Sequence, residues 1–217
     1  MGHRRMTSYY KSHPEMATYL VHLTGRTGTP NSRVPRDIRR LAASARLEAI
    51  LNQRSINGFE CFGSGLPVVC MCEGSIETLN WLVAERKYEP WGLGLKKEYV
   101  YGQGGGPAYY VRSEELPALT GPAHARAVRF EPHECDWTHE REWRVPTEAL
   151  KFTMRDLEGI YVGDAGWQPS SQRTRSSTRP QGLTRELQVP DWWRRIPRFV
   201  WNGRDKFEAL GVQSAIV

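Results

Sequence analysis

No run of apolar residues in this chain approaches the roughly twenty needed to cross a bilayer. The polar opening, Met1 to Lys11, has no apolar stretch of the kind that drives secretion. A cytoplasmic protein without a membrane partner is therefore the expectation. Cysteine is scarce: Cys61, Cys70, Cys72 and Cys135 are too few for a disulfide framework, which again suits a reducing compartment. No Cys-x-x-Cys pair occurs, and His133, Cys135 and His139 with Cys70 and Cys72 fit no standard zinc spacing, so no metal is expected. A Gly-x-Ser-x-Gly elbow and a Ser–His–Asp signal are also missing. The glycine-rich segment Gly102 to Pro107 lacks the Lys-Ser/Thr ending of a phosphate-binding loop and opens no helix, which favours a tight hairpin.

The 217 residues, 39% hydrophobic and 25% charged, suffice to bury a core and read as globular. The net charge of +6 is unevenly spread. Residues 1–46 carry a balance of +7, residues 47–172 one of −6, and residues 173–206 one of +6. All but one of the basic residues in each basic flank are arginine. Arginine grips phosphate bidentately and stacks on flat rings. Arg26, Arg33, Arg36, Arg173, Arg175, Arg194 and Arg195 are thus candidate contacts to nucleic acid; a solvated surface explains them about equally well.

Tyr19 to Thr24 reads as a strand with Leu20, His22 and Thr24 on one face. Pro35 starts a helix carrying Ile38, Leu41, Ala45, Leu47, Ile50 and Leu51, ending near Asn57-Gly58. Val68 to Cys72 is a buried strand, and Ser75 caps a helix through Glu85. Further strands are expected at Trp91–Leu95, Ala108–Val111, Ala127–Phe130, Glu142–Val145 and Gly159–Val162. Without regular βαβ alternation this is an α+β pattern, read as a single domain. Its parts are a basic N-terminal arm (1–17), a catalytic-like domain (18–167), an Arg/Ser-rich loop (168–190) and an aromatic C-terminal segment (191–217) that docks on the core.

Two pairs of side chains carry possible chemistry. His22 and Thr24 can together bond a ribose hydroxyl or an amide, although a satisfied core histidine is the commoner reason for such a pair. Glu140 and Glu142, two apart, fall on one face of a strand, with Arg141 and Trp143 on the other. Close carboxylates repel, which raises one pKa, and such a pair can support an oxocarbenium-like centre. Surface Glu–Arg pairing is the plainer alternative. Tyr101, Tyr109 and Tyr110 can stack on a planar ring or simply pack.

In order along the chain, Leu20-Val21-His22-Leu23-Thr24, Leu47-Glu48-Ala49-Ile50-Leu51, Val69-Cys70-Met71-Cys72, Tyr88 to Lys97, Gly106 to Tyr110 and Glu140-Arg141-Glu142-Trp143-Arg144 form a series. The series resembles bacterial abortive-phage-resistance proteins of the AbiGi type and a related actinobacterial group with a Glu-x-Glu-Trp-Arg motif. More distantly it is similar to the ADP-ribosyltransferase superfamily, including DarT-like toxins. That second resemblance implies a split, mixed but mainly antiparallel sheet and NAD as substrate, with no metal. It makes Glu142 catalytic and Glu140 accessory, with His22 and Thr24 holding the nicotinamide ribose and amide. Tyr101, Tyr109 or Tyr110 would stack on nicotinamide. The implied function is a toxin or phage-defence effector that modifies nucleic acid, with a cognate antitoxin or defence-system partner. A non-catalytic binding component of such a pair is the alternative.

Overall fold

In a computed structural model of the chain, residues 17–27, 32–61, 64–86, 88–169 and 191–210 are described. Nearly all of the expected basic arm, most of the 168–190 loop, and Arg173 and Arg175 with it, lie outside them. No helix among the described residues is long and apolar enough to span a membrane.

The architecture is mixed α/β, dominated by an open, mostly antiparallel sheet of eight strands. Its strands are β1 (Tyr19–Leu23), β3 (Val68–Cys72), β4 (Gly92–Lys96), β5 (Gly106–Pro107), β8 (Glu142–Pro146), β10 (Leu157–Val162), β11 (Arg198–Trp201) and β12 (Phe207–Leu210), ordered β12-β11-β10-β4-β1-β3-β8-β5. Only the β10–β11 contact in this sheet is parallel. Two smaller ladders pair β2 (Ser55–Asn57) with β9 (Ala149–Lys151), and β6 (Tyr109–Val111) with β7 (Ala127–Arg129).

The apolar residues of the sheet divide between two cores, one on each face of the pleat. Leu20, Val69, Met71, Leu93, Trp143 and Val145 point to one side, where Leu47 and Leu51 of α2 (Ala43–Gln53) meet them. Val21, Cys72 and Tyr161 point to the other, against Leu79, Leu82 and Val83 of α3 (Ile76–Glu85). The expected Ser75 cap is present: its Oγ accepts from the Thr78 N–H. From the described part of the C-terminal segment, Trp193 and Ile196 enter the first core and Phe207 the second.

Three local expectations change. The single helix from Pro35 is two, α1 (Arg36–Arg39) and α2, and the second stops at Arg54, whose left-handed φ of 51° ends it before Asn57. Arg46 binds this corner, donating to the carbonyls of Ile38, Arg39 and Thr24 (3.2, 3.0 and 2.8 Å). The polar residues after β4, to which the sequence assigned no element, begin a short helix, α4 (Lys97–Gly102), and Gly104 turns the chain at φ +83° to enter β5.

The feature that positions the site is a discontinuity. β1 follows β4 through five registered pairs, from Tyr19↔Lys96 to Leu23↔Gly92. β3 likewise follows β8 through five, from Val68↔Pro146 to Cys72↔Glu142. Between β1 and β3 only Val21↔Cys72 pairs, so the sheet splits into two continuous halves. Gly92 sets how closely β1 lies on β4: a Cβ there would stand 2.5 Å from the His22 carbonyl oxygen and 3.2 Å from Leu23 Cα. Gly92→Ala must push β1 aside, and we expect about 1–3 kcal/mol of lost stability from such overpacking, read as a lower urea midpoint.

Candidate functional site

A ladder that ends leaves main-chain groups that need other partners. Past Val21↔Cys72, the Cys70 carbonyl accepts instead from His22, whose Nδ1 lies 2.9 Å away. A carbonyl only accepts, so Nδ1 carries the proton and Nε2 keeps its lone pair. Burial, with the Arg46 cation adding to it, holds the His22 pKa below the usual histidine value, so the ring is neutral.

The gap so formed is a cleft. His22 and its β1 neighbours form one wall, and Cys70, Met71 and Cys72 of β3 form another. Leu82 and Tyr88 add apolar and aromatic surface, and Glu140 and Glu142 supply the carboxylates. Its volume is about 120 Å³, room for one small planar ring rather than a whole dinucleotide. A larger hollow of about 460 Å³, lined by Arg54, Thr153, Met154, Arg155 and Trp192, holds no carboxylate or histidine and lies away from these groups. We place the site in the smaller cleft because chemistry, not volume, selects it.

Glu142 is one of the few charged residues that are buried, at 8% exposure, and Arg144 beside it is fully enclosed. They stand on one face of β8, and the guanidinium grips the carboxylate with two bonds: Nε to Oε1 at 2.9 Å and Nη2 to Oε2 at 3.2 Å. Its remaining arm, Nη1, donates to the carbonyls of Ala127 (2.8 Å) and Ala125 (3.4 Å), at the end of α5 (Gly121–Arg126). Helix-end carbonyls lack intrahelical donors, so they suit a cation. Burial works against the Arg144 charge, but Glu142 outweighs it and holds the pKa above the ordinary arginine value.

Glu140 reaches the same cleft by a different route from the one expected. It belongs to a 3-10 turn (Thr138–Glu140), not to the strand, and Arg141 between the two glutamates is left-handed at φ 44°. A non-glycine residue there is strained, a condition common at working sites. Arg141 and Trp143 do share the opposite side, as alternation predicts: Glu73 receives the Trp143 indole N–H at 2.7 Å and lies 3.6 Å from Arg141. Lys97 also pairs with Glu73, at 2.5 Å. Glu140 Oε1 accepts from the Tyr88 hydroxyl at 2.7 Å and lies 3.4 Å from Arg26. Burial raises the Glu140 pKa, opposed by the Tyr88 bond and Arg26 and reinforced by Glu142. Tyr88, raised in turn by burial and by Glu140, stays protonated as the donor.

The other expected residues divide. Thr24 does not line the cleft; its hydroxyl serves the carbonyls of Ala43 (2.8 Å) and Trp91 (3.1 Å), tying β1 to the start of α2. Tyr110 does not line the cleft but bonds next to Glu142: its hydroxyl donates to the Trp137 carbonyl at 3.1 Å and accepts from the Glu142 N–H at 3.4 Å. Burial, with the two glutamates adding to it, pushes its pKa up to about 12. Tyr101 is 70% exposed on α4, and Tyr109 stacks with the Arg126 guanidinium, neither lining the cleft. The aromatic side chain that does line it is Tyr88, given no role in the sequence reading although it opens the Tyr88-Glu89-Pro90 fragment.

Among the candidate arginines, Arg26 lies at the cleft, its guanidinium between the rings of Tyr88 (4.9 Å) and Trp137 (4.8 Å). Arg33 pairs with Glu60, Arg36 is exposed on α1, and Arg194 lies over the Trp193 ring with Arg195 exposed beside it. Among the described residues, no group of three or more His, Cys, Asp or Glu side chains is disposed to hold a metal ion.

Fold and site together define a mixed α/β protein with a carboxylate-lined cleft where its open sheet divides. The chain matches no protein-family model, no curated protein and no solved structure.

Two outcomes follow from this geometry. Arg144→Met leaves the Glu142 carboxylate buried without its cation, and breaking such a pair costs about 3–5 kcal/mol. Adding Glu142→Gln should recover part of that loss in urea unfolding. For His22, the unfolded chain takes up the proton first on acidification, because the folded pKa is the lower. Stability should therefore fall as pH drops below about 6.5, with His139, also depressed by burial, acting in the same direction. His22→Gln should flatten this slope between pH 7.5 and 5.5; an unchanged slope would mean that His22 is not the buried neutral group.

Proposed function

We propose that the chain is an NAD-dependent ADP-ribosyltransferase working at the β1–β3 split, in a toxin or phage-defence role with nucleic acid as acceptor. The observation that carries this reading is the meeting of His22 with Glu140 and Glu142, more than a hundred residues apart, in one ring-sized cleft. The motif series and the arginine-rich flanks support the superfamily and the acceptor class.

In the reaction, the bond between ribose C1′ and the nicotinamide nitrogen breaks, and nicotinamide leaves with the electron pair. Positive charge develops at C1′ and the ring oxygen. Glu142 accepts a hydrogen bond from the ribose 2′-OH and stabilises that charge. A carboxylate has about four acceptor sites, so the two bonds from Arg144 leave two for substrate while holding the group in place. Such preorganised charge is usually the largest single contribution to acceleration. His22 presents Nε2 as an acceptor for a ribose hydroxyl or the nicotinamide amide. Glu140, with its raised pKa and lighter restraint, takes the proton from the acceptor nucleophile as it attacks C1′. Tyr88 supplies the ring against which nicotinamide packs.

Release of nicotinamide from labelled NAD, with and without single-stranded DNA, RNA or protein, measures this directly. Glu142→Gln should lower the rate about 10²–10³-fold, while circular dichroism and the melting temperature establish that it is folded. Undiminished turnover in a folded Glu142→Gln protein removes Glu142 from the mechanism. Absence of any NAD turnover in the wild-type chain, with salt-dependent binding to nucleic acid, would favour the non-catalytic reading, in which the Glu142–Arg144 pair is only structural.

A further inference from the structure

Two of the four cysteines line the cleft, and one of them faces a third. Cys70 and Cys72 lie on the β3 wall of the cleft, and the Sγ of Cys61 stands 3.5 Å from the Sγ of Cys70. No disulfide joins them. Cys61 is held by Ser64: its N–H donates to Ser64 Oγ at 3.2 Å, and its carbonyl accepts from the Ser64 N–H at 2.9 Å. Cys70 is held by the β3–β8 ladder directly opposite Arg144. Both backbones are thus anchored, and the two sulfurs need only close from 3.5 Å to the 2.05 Å or so of a disulfide.

We propose that Cys61 and Cys70 form a modification site, a dithiol that a small hydroperoxide converts to an intramolecular disulfide in the wall of the cleft. A small peroxide reaches the pair from the cleft, whose wall Cys70 forms, with the buried Cys61 sulfur 3.5 Å from it. The pair is also electronically unequal, as a reactive dithiol requires. The hydrogen bond from Cys70, with the Arg144 charge nearby, lowers the Cys61 pKa. The same bond and burial raise that of Cys70. The Cys61 thiolate attacks one oxygen of hydrogen peroxide, the O–O bond breaks, and hydroxide leaves, giving a sulfenic acid. The Cys70 sulfur then attacks the Cys61 sulfur, its proton is lost, and the sulfenic oxygen departs as water. The sum is two thiols and one peroxide giving one disulfide and two waters. Cys72 is a poor competitor: burial, with Glu140 next, pushes its pKa up to about 12. Because the Cys70 carbonyl holds His22 and the strand position faces Arg144, closing the bond acts on both walls of the site.

The test uses the full-length chain, reduced and then exposed to hydrogen peroxide, with remaining thiols alkylated and the unreduced digest analysed by mass spectrometry. The expected result is a Cys61–Cys70 cross-linked peptide lighter by two hydrogens, loss of two of the four alkylatable thiols, and full reversal by dithiothreitol. Cys72→Ser and Cys135→Ser should still form the link, whereas Cys61→Ser should leave Cys70 alkylatable. A link through Cys72 or Cys135, or separate irreversible oxidation of Cys61 and Cys70, overturns the proposal. None of these outcomes depends on whether the protein turns over NAD.

Discussion

A single backbone pairing, Val21 opposite Cys72, joins the two halves of the main sheet, and the rest of the site depends on that economy of contact. Each half is continuous within itself, through five pairs on either side. Where β1 and β3 part, water or a ligand would have to meet their main-chain groups, and His22 takes over one of them through the Cys70 carbonyl. A sheet continuous across this line would have no cleft, and Glu142 of β8, with Glu140 in the turn before it, would face packed strands. The separation is held open from outside. Gly92 draws β1 against β4, and Thr24 and Arg46 fasten its end to α1 and α2.

The two glutamates differ in their surroundings more than in their positions. Glu142 is enclosed and clamped by a guanidinium that also binds the end of α5, so it is fixed and charge-compensated. Glu140 sits in a strained turn, hydrogen-bonded by Tyr88 and near Arg26, with burial favouring its protonated form. Neighbouring carboxylates held in unlike environments are how one site provides both a fixed charge and a group that exchanges a proton. Behind them, Glu73 with Trp143, Lys97 and Arg141 makes a second polar cluster that anchors β8 from the opposite side.

Much of the secondary structure was legible in local pattern. The apolar run Val68–Cys72, the Ser75-capped helix and the strands at Tyr19, Glu142 and Gly159 follow from periodicity, capping chemistry and β-branched content. The departures have physical causes. Arg54 and Arg141 adopt left-handed conformations that no propensity assigns to arginine; the first ends α2 before Asn57, and the second sets Glu140 apart from the strand that holds Glu142. The helix at Lys97–Gly102 is short and polar, and its Lys97 is bound by a glutamate far from it in sequence.

The sequence by itself determined which residues could bear chemistry: two glutamates two apart, a histidine on an early strand, and a set of tyrosines without a fixed role. Spacing is a local property, and it sufficed for that much. Only the tertiary structure decided which of them meet. It brought His22 to Glu140 and Glu142 and assigned the aromatic wall to Tyr88. It turned Thr24 into a structural tie, left Tyr101 in solvent, and set Cys61 against Cys70. The reason is that a cleft at a break in a sheet is made by strands that fail to pair. That failure depends on the neighbours of both strands, which no local pattern records.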